Sequence, residues 1–286
     1  MNRIGVLANC RKPHAAVVLK QLAEKAAALG MELVAGQETA ALIPGAKGVP
    51  PGELAARIDV LMALGGDGTV LRAVRALQGA DKPVLGVNLG SLGFLTSVTE
   101  SELDRALAVL KEDRFTTSLR SIAECRLVRG SQQLGNYRAL NDAVIGWGTS
   151  SRVNTLSLDV NNEHVANYTC DGLIISTPTG STGHSLSAGG PILTPDSACF
   201  VVSLICPHTL SNRPLVVSDQ STITVNVVKA LGRLVLSVDG QEELDIEQGD
   251  RLEVRRSPQG VRFVHLPGYS YFSVLRQKLL WRGSSV

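Results

Sequence analysis

Hydrophobic and polar positions follow two different patterns along the chain. In the first 115 residues, apolar runs alternate with helically spaced segments. RIGVLAN (3–9) reads as a strand. HAAVVLKQLAEKAAALG (14–30) carries apolar residues at helical spacing and ends on glycine, a common helix stop. MELVAG (31–36) is a short second strand. IDVLMAL (58–64) and PVLGVN (83–88) are almost continuously apolar, as parallel strands buried on both faces must be. The helix VLRAVRAL (70–77) lies between them. A further helix spans 99–112, where Thr99 and Glu102 have the spacing of a capping box.

Beyond residue 116 the period shortens. SIAECRLVRG, NTLSLDVNN, STITVNVVKA, RLVLSVDG and DRLEVRRS alternate apolar with polar residues and are separated by Gly, Asn, Asp and Ser, which is antiparallel strand material. YFSVLRQKLLW (271–281) returns to helical spacing. The patterns predict an α/β domain with a parallel sheet over 1–115 and a β-rich, sandwich-like domain over 116–265. They also predict a tail over 266–286 that packs back on the first domain. There is no internal repeat, low-complexity linker or long charge run.

Composition narrows the classes. The chain has 286 residues, 44% of them apolar, enough for a substantial core. Its 28 basic and 26 acidic residues give a net charge of +2, which does not mark nucleic acid as a partner. Five cysteines, Cys10, Cys125, Cys170, Cys199 and Cys206, form no CxxC pair, so neither a disulfide framework nor a zinc site is expected. The most apolar run, CFVVSLIC (199–206), is too short to span a bilayer. The expectation is a soluble, cytoplasmic protein with reduced thiols and no membrane partner.

Candidate chemistry begins at GGDGTVLRA (65–73), where a buried strand turns through glycines into a helix. Such a turn is a phosphate cradle, because glycines admit an anion close to the backbone and the helix amino end carries partial positive charge. The loop lacks the GxxxxGK[ST] and GxGxxG spacings. Asp67 is the anomaly, since a carboxylate beside phosphates repels them. It can hold a divalent metal on the phosphates, accept a proton from an attacking hydroxyl, or serve only as an Asp-Gly turn residue. Arg72 follows in the first helical turn, either as a fork for a phosphate or on a solvated face.

Two further stretches stand out. DGLIISTPTGSTGHSLSAGGPI (171–192) concentrates Gly, Ser and Thr after an apolar strand. A loop this rich in small residues is poor core material and suits wrapping a nucleotide, the alternative being a plain polar loop. In ALNDAVIG (139–146), Asn141 and Asp142 begin an apolar strand. The pair can hold a ribose by accepting and donating to its hydroxyls, or can form an Asx turn.

Taken in order, GGDGT, NLGSLGFLT (88–96), LND, the serine–threonine–glycine block and PHTLSNRPLVV (207–217) resemble the NAD kinase family, with VDGQ (238–241) as weaker support. GGDGT alone is shared with lipid kinases and, as GGDGS, with phosphofructokinases. The long block is far more specific. The resemblance implies an α/β domain and a β-rich domain with the site between them. It also implies phosphoryl transfer from ATP to the adenosine 2′-hydroxyl of NAD, giving NADP, with a divalent metal such as Mg²⁺ on the phosphates and a homodimer or homotetramer. By motif, Asp67 would be the general base, with Gly68 in the same pocket and Phe94 beside the adenine. Asn141 and Asp142 would bind the NAD ribose. Asp171, Thr182, Gly183, His184, Ser185, Leu186 and Ser187 would complete the nucleotide pocket, and Arg152 and Gln241 match positions that contact nucleotide.

Two departures from the family pattern are visible. The family usually has Asn-Glu where this chain has Asn141-Asp142, and usually Ala-Tyr where it has Gly183-His184. The first shortens a carboxylate by one methylene. The second replaces a tyrosine with an imidazole that can titrate near neutrality. Two other readings compete with the kinase: a lipid kinase of the diacylglycerol or sphingosine type, and a nucleotide-binding regulator without catalysis. ATP against polyphosphate as donor is not legible in the sequence.

Overall fold

The computed structural model describes residues 1–46, 48–50, 52–90, 93–146, 153–209 and 211–281. They form two compact units, one of the described residues of 1–119 with 261–281 and the other of those of 120–260.

The first unit begins with β1 (Arg3–Ala8), α1 (Ala15–Ala28), β2 (Glu32–Gly36), α2 (Gln37–Ala40), β3 (Gly48–Val49) and α3 (Leu54–Arg57). It continues through β4 (Val60–Gly65), α4 (Asp67–Ala76), β5 (Val84–Asn88), β6 (Val98–Thr99), α5 (Leu103–Lys111) and β7 (Thr116–Arg120). The sheet order is β3-β2-β1-β4-β5, extended by the late strand β20 (Val261–His265) and then β7, with β6 pairing β5. Pairs β1/β2, β1/β4 and β4/β5 are parallel. Every residue of β4 and β5 is buried, which explains their unbroken apolar sequence. Helices α1 and α5 bury Val18, Leu22, Leu103 and Leu107 in one core with Ile4, Val6, Met62 and Leu64 of the sheet. Thr99 and Glu102 form the expected capping box, here on a short 3₁₀ turn that leads into α5.

The second unit is antiparallel. Its strands are β8 (Ala123–Arg129), β9 (Gln132–Ala139), β10 (Asp142–Gly146), β11 (Asn154–Val160), β12 (Glu163–Cys170) and β13 (Gly172–Ser176). After a 3₁₀ turn over 179–182 and the short α6 (His184–Ser187) come β14 (Cys199–Ile205), β15 (Leu215–Ser218) and β16 (Ile223–Lys229). Strands β17 (Leu234–Val238), β18 (Glu242–Ile246) and β19 (Asp250–Arg256) complete the unit. They make two six-stranded sheets, β15-β14-β13-β10-β17-β18 and β12-β11-β16-β19-β8-β9. Alternate residues of both sheets meet in one core, with Leu127, Leu158 and Val225 from one and Ile145, Ile175 and Phe200 from the other. The sandwich thus follows from period-two patterning.

The chain then returns to the first unit. Phe263 of β20 lies opposite Val84 of β5 in parallel register. The closing helix α7 (Tyr271–Leu279) is capped by the Ser270 hydroxyl, buries Val274 and Leu275, and carries Lys278 to 5.7 Å from the centre of the Phe94 ring. The described cysteines are all free thiols, and burial pushes the Cys170 thiol up to about 11. No helix among the described residues is long and apolar enough to cross a membrane.

Close packing around β5 makes a test. A Cβ on Gly86 would collide with the Leu95 carbonyl oxygen and stand 3.0 Å from the Thr96 Cα, both backbone atoms that cannot step aside. Gly86→Ala is therefore expected to destabilise the protein by about 1–3 kcal/mol, the usual cost of overpacking. Urea unfolding measures this, and an unchanged midpoint would show that residues 95–96 are free to shift.

Candidate functional site

In a parallel sheet of order β3-β2-β1-β4-β5, the chain leaves β1 and β4 in opposite directions. The carboxyl ends of these two strands therefore border a crevice, the usual ligand position in such sheets. Asn9, Arg11 and Lys12 follow β1, and Gly66, Gly68 and Thr69 follow β4. Together with Glu38 and Arg72 they line a cleft of about 520 Å³. Gly65 permits the geometry, because a Cβ there would collide with the Thr69 hydroxyl and approach the Asn9 Cβ to 3.1 Å. The sequence placed Gly68 and Arg72 here. It missed Arg11 and Lys12, whose basic side chains give no signal until the sheet order sets β1 beside β4.

Helix α4 starts at Asp67, three residues before the apolar pattern begins. The Gly66 carbonyl accepts the amides of Thr69 and Val70 at 2.9 and 3.2 Å, so GDGT forms the first helical turn rather than a free loop. Arg72 consequently stands in the second turn, not the first. Its guanidinium donates to the Ala8 carbonyl and lies 3.8 Å from Glu38.

The carboxylate of Asp67 does not line the cleft. Its Oδ2 accepts the Phe94 amide at 2.9 Å and its Oδ1 the Leu95 amide at 3.0 Å. Gly93 makes room for it, since a Cβ at 93 would overlap the carboxylate. Asp67 thus ties the start of α4 to the segment that carries Phe94, 27 residues away. This resolves the electrostatic puzzle of the sequence, because the turn lines an anion cleft while its carboxylate is held on backbone donors. Asp67 and Phe94 are both half-buried and Gly68 is exposed.

A second cluster forms in the second unit. Asp142 opens β10 and is 1% exposed. His184 Nδ1 lies 3.2 Å from Asp142 Oδ2, so the two departures from the family pattern touch one another. Gly183 adjoins both, its missing Cβ 3.7 Å from Asp142 Oδ2 and 4.0 Å from Asn141 Nδ2. The loop is pressed against the backbone, for a Cβ at Gly180 would overlap the Asn141 carbonyl. Asn141 Oδ1 is buried without a hydrogen-bond partner. A pocket of about 380 Å³ adjoins His184 and Ser187, walled by Ile174, Leu204 and Pro207.

Asp239, which the sequence did not single out, sets the position of this cluster. It lies in the turn between β17 and β18, and its carboxylate accepts the amides of Leu140, Asn141 and Asp142 at 2.8, 2.7 and 3.1 Å. Burial pushes its carboxyl up to about 6 against the pull of these donors, and the nearby Asp142 charge adds to the rise. The same turn holds Gln241.

Other expected residues lie differently. The serine block is core material in its first half, contrary to expectation. Thr177, Thr179, Gly180 and Ser181 are buried, because Thr177 donates to the Leu140 carbonyl and Ser181 to the Pro178 carbonyl. Ser185 is fully buried with its hydroxyl 3.1 Å from that of Ser203. Thr182 and Leu186 are half-buried and Ser187 is exposed. Asp171 sits at the far end of β13, where Gly172–Ser176 separate it from the Asn141 side by about 17 Å of strand. Arg152 lies outside the described residues.

The Asp142–His184 pair gives a prediction. The hydrogen bond to Asp142 raises the imidazole above its ordinary value of 6.5, burial opposes this, and charge attraction adds to it. With the folded value raised, the pair's stabilisation is complete below the unfolded value and fades as pH climbs through the folded one. An NMR titration of the His184 ring should therefore show a midpoint above 6.5 that drops in Asp142→Asn. A midpoint at or below 6.5 in the unaltered protein would mean that the contact does not hold a proton.

Comparison with known proteins agrees with this layout. The family model for the ATP-NAD kinase N-terminal domain matches residues 49–115, and that for the ATP-NAD kinase C-terminal domain matches 140–266. The NAD kinase of Syntrophotalea carbinolica is 39% identical over 98% of this chain and 99% of its own. That of Burkholderia cenocepacia is 40% identical over 98% and 94%. Among solved structures, yeast NADH kinase complexed with NADH superposes with a TM-score of 0.92 at 25% identity, covering 100% of this chain and 89% of that one. An Archaeoglobus fulgidus NAD kinase in complex with ATP gives 0.79 at 25% identity, covering 98% and 100%.

Proposed function

From the premise that this chain belongs to the NAD kinase family and phosphorylates NAD with ATP to make NADP, we propose how its residues divide the work. The donor phosphates occupy the cleft at the ends of β1 and β4. Lys12, Arg11 and Arg72 supply charge there, and the positive end of α4 adds to it. Asp67 is the general base toward the adenosine 2′-hydroxyl. A ribose hydroxyl is a very weak acid, so a carboxylate does not strip its proton in the ground state. In a loose phosphoryl-transfer transition state the proton moves late, and the carboxylate first orients the hydroxyl. The observation that carries this role is the anchoring of Asp67 on the Phe94 and Leu95 amides, which fixes the carboxylate in the turn that borders the phosphate cleft.

Asn141 and Asp142, clamped by Asp239, bind NAD hydroxyls, and the unpartnered Asn141 Oδ1 has an acceptor to offer. Gly183 and His184 shape the same pocket. His184 takes the place of the family's tyrosine and, through its contact with Asp142, fills the space left by the shorter carboxylate. Phe94 flanks the adenine, and Gln241 and Arg152 contact nucleotide.

Magnesium fits the donor set. No group of three or more His, Cys, Asp or Glu converges among the described residues, so there is no all-protein cage. Mg²⁺ instead favours substrate phosphates, waters and one or two carboxylates, and Glu38 is the carboxylate that lines this cleft. Bound there, the ion would neutralise charge on the β- and γ-phosphates. Operation in the cytoplasm and assembly as a homodimer or homotetramer complete the reading. Assembly would also give Asp171, a strand's length from Asn141 in one chain, a role at a second copy's nucleotide.

The test is Asp67→Asn. The amide keeps the size of the side chain but cannot take a proton. A fall in kcat of about 10²–10⁴-fold, the usual range for a general base, is expected with NAD affinity kept within a few-fold. Near-normal turnover would reduce Asp67 to a tether. Equal losses of affinity and kcat, with a lower melting temperature, would assign it to positioning Phe94 and Leu95.

A further inference from the structure

The hairpin that joins β17 to β18 carries a charge its turn does not need. Asp239 and Gly240 both have positive φ, 53° and 63°, and the Gln241 amide donates to the Val238 carbonyl at 3.0 Å. This is a two-residue type I′ turn, which Asn-Gly suits as well as Asp-Gly. Asp239 nevertheless sets a carboxylate on three consecutive amides. Its Oδ1 accepts from Asn141 and Asp142 and its Oδ2 from Leu140, and the Asp239 amide donates back to the Asp142 carbonyl at 2.9 Å. These contacts suit the ionised form. A carboxylate only accepts, whereas the protonated acid turns one oxygen into a donor. Oδ2, with one amide on it, is the oxygen that would take the proton. It would then accept the Leu140 amide more weakly and need an acceptor of its own, at the very start of β10.

That proton is available in mild acid. Burial raises the Asp239 carboxyl to about 6, the three amides oppose the rise, and the Asp142 charge adds to it. The ionisable groups on the neighbouring elements are few. Asp142 of β10 meets His184 of α6. Burial pushes the Cys125 thiol of β8 up, and the charges of Asp239 and Asp142 push it further, so it stays neutral. Glu242 of β18 lies opposite Val238. Arg138 of β9 is turned to the Ser257 hydroxyl and the Gln259 carbonyl.

We propose that Asp239 is a proton-operated positioning residue. Its ionised carboxylate holds Leu140, Asn141 and Asp142 in the arrangement that binds NAD, and uptake of one proton releases them and weakens NAD binding. The proposal rests on the assignment of Asn141 and Asp142 to the NAD hydroxyls and adds a control to it. Two opposite trends follow. NAD prefers the ionised form, so its affinity falls as pH drops through the Asp239 midpoint. The fold prefers the protonated form, because the folded value lies above the ordinary 3.8, so this group's contribution to stability grows as pH falls from about 6. A carboxylate that served only the fold would move stability and leave affinity alone.

Asp239→Asn is the matched variant, since it keeps the turn, carries no charge and imitates the protonated side chain. Calorimetric titration with NAD needs no turnover, and NADP formation judges the kinase reading separately. At pH 7.5 the variant should bind NAD about tenfold or more weakly than the unaltered protein. At pH 5 the two affinities should agree within about twofold, and the two melting temperatures should converge. His184 titrates in both proteins, so the comparison cancels it. If the variant does not fold, the Asp239 carboxyl ¹³C resonance of the unaltered protein carries the test. Its midpoint should fall by about one pH unit when NAD saturates, which is the tenfold preference read from the proton's side. Equal affinity of folded variant and unaltered protein at pH 7.5, a deficit undiminished at pH 5, or a carboxyl midpoint that NAD leaves in place would overturn the proposal. Undetectable NAD binding by the unaltered protein at every pH would overturn the Asn141–Asp142 assignment together with it.

Discussion

The hydrogen bonds from the Phe94 and Leu95 amides to Asp67 are the constraint on which the first unit's site depends. A carboxylate in the first turn of a helix is favoured by the helix dipole. Left free beside an anion cleft, it would oppose the ligand that the same turn attracts. The two amides settle the conflict by holding the carboxylate off the cleft wall. They also fix the segment after β5 against α4. That contact is possible only where side chains are missing, at Gly93 against the carboxylate and at Gly86 against the Leu95 carbonyl. The glycines around Asp67 thus serve two ends, admitting a ligand near Gly66 and Gly68 and admitting neighbouring backbone at Gly86 and Gly93.

The second unit solves a related problem with the charges reversed in role. Asp239 spends its carboxylate on three consecutive amides, which leaves the side chains of Asn141 and Asp142 free of backbone duties. Two buried carboxylates so close together are costly, and the high value of the Asp239 carboxyl reflects that. His184 supplies a compensating partner to Asp142 from the exposed side. The pairing gives a physical reason for two departures from the family to occur together. The shorter acid and the imidazole lie 3.2 Å apart, within hydrogen-bond reach of one another.

Much of this was legible in the sequence because it depends on local periodicity. The unbroken apolar runs of β4 and β5 gave the parallel sheet, and alternation gave the two antiparallel sheets. The residues of GGDGT and LND were visible because chemistry places unusual side chains at element ends. What was hidden depends on long-range placement. Arg11 and Lys12 reach the cleft only because β1 lies beside β4. Asp239 reaches Asn141 across 98 residues. The start of α4 at Asp67 was masked by glycines that read as a turn, and β20 joins a parallel sheet although its neighbours in sequence are antiparallel. The block 171–192 read as poor core material, yet Thr177, Ser181 and Ser185 within it are buried on partners in their own unit.

This chain phosphorylates the adenosine 2′-hydroxyl of NAD. The most direct measurement incubates the purified chain with NAD, ATP and Mg²⁺ and follows ³¹P resonances together with an NADP-specific dehydrogenase. The expected result is a new 2′-phosphomonoester on the dinucleotide and ADP in equal amount, both absent when NAD or the divalent cation is withheld. ATP hydrolysis without NADP, or phosphate transferred to diacylglycerol while NAD stays unchanged, would contradict it.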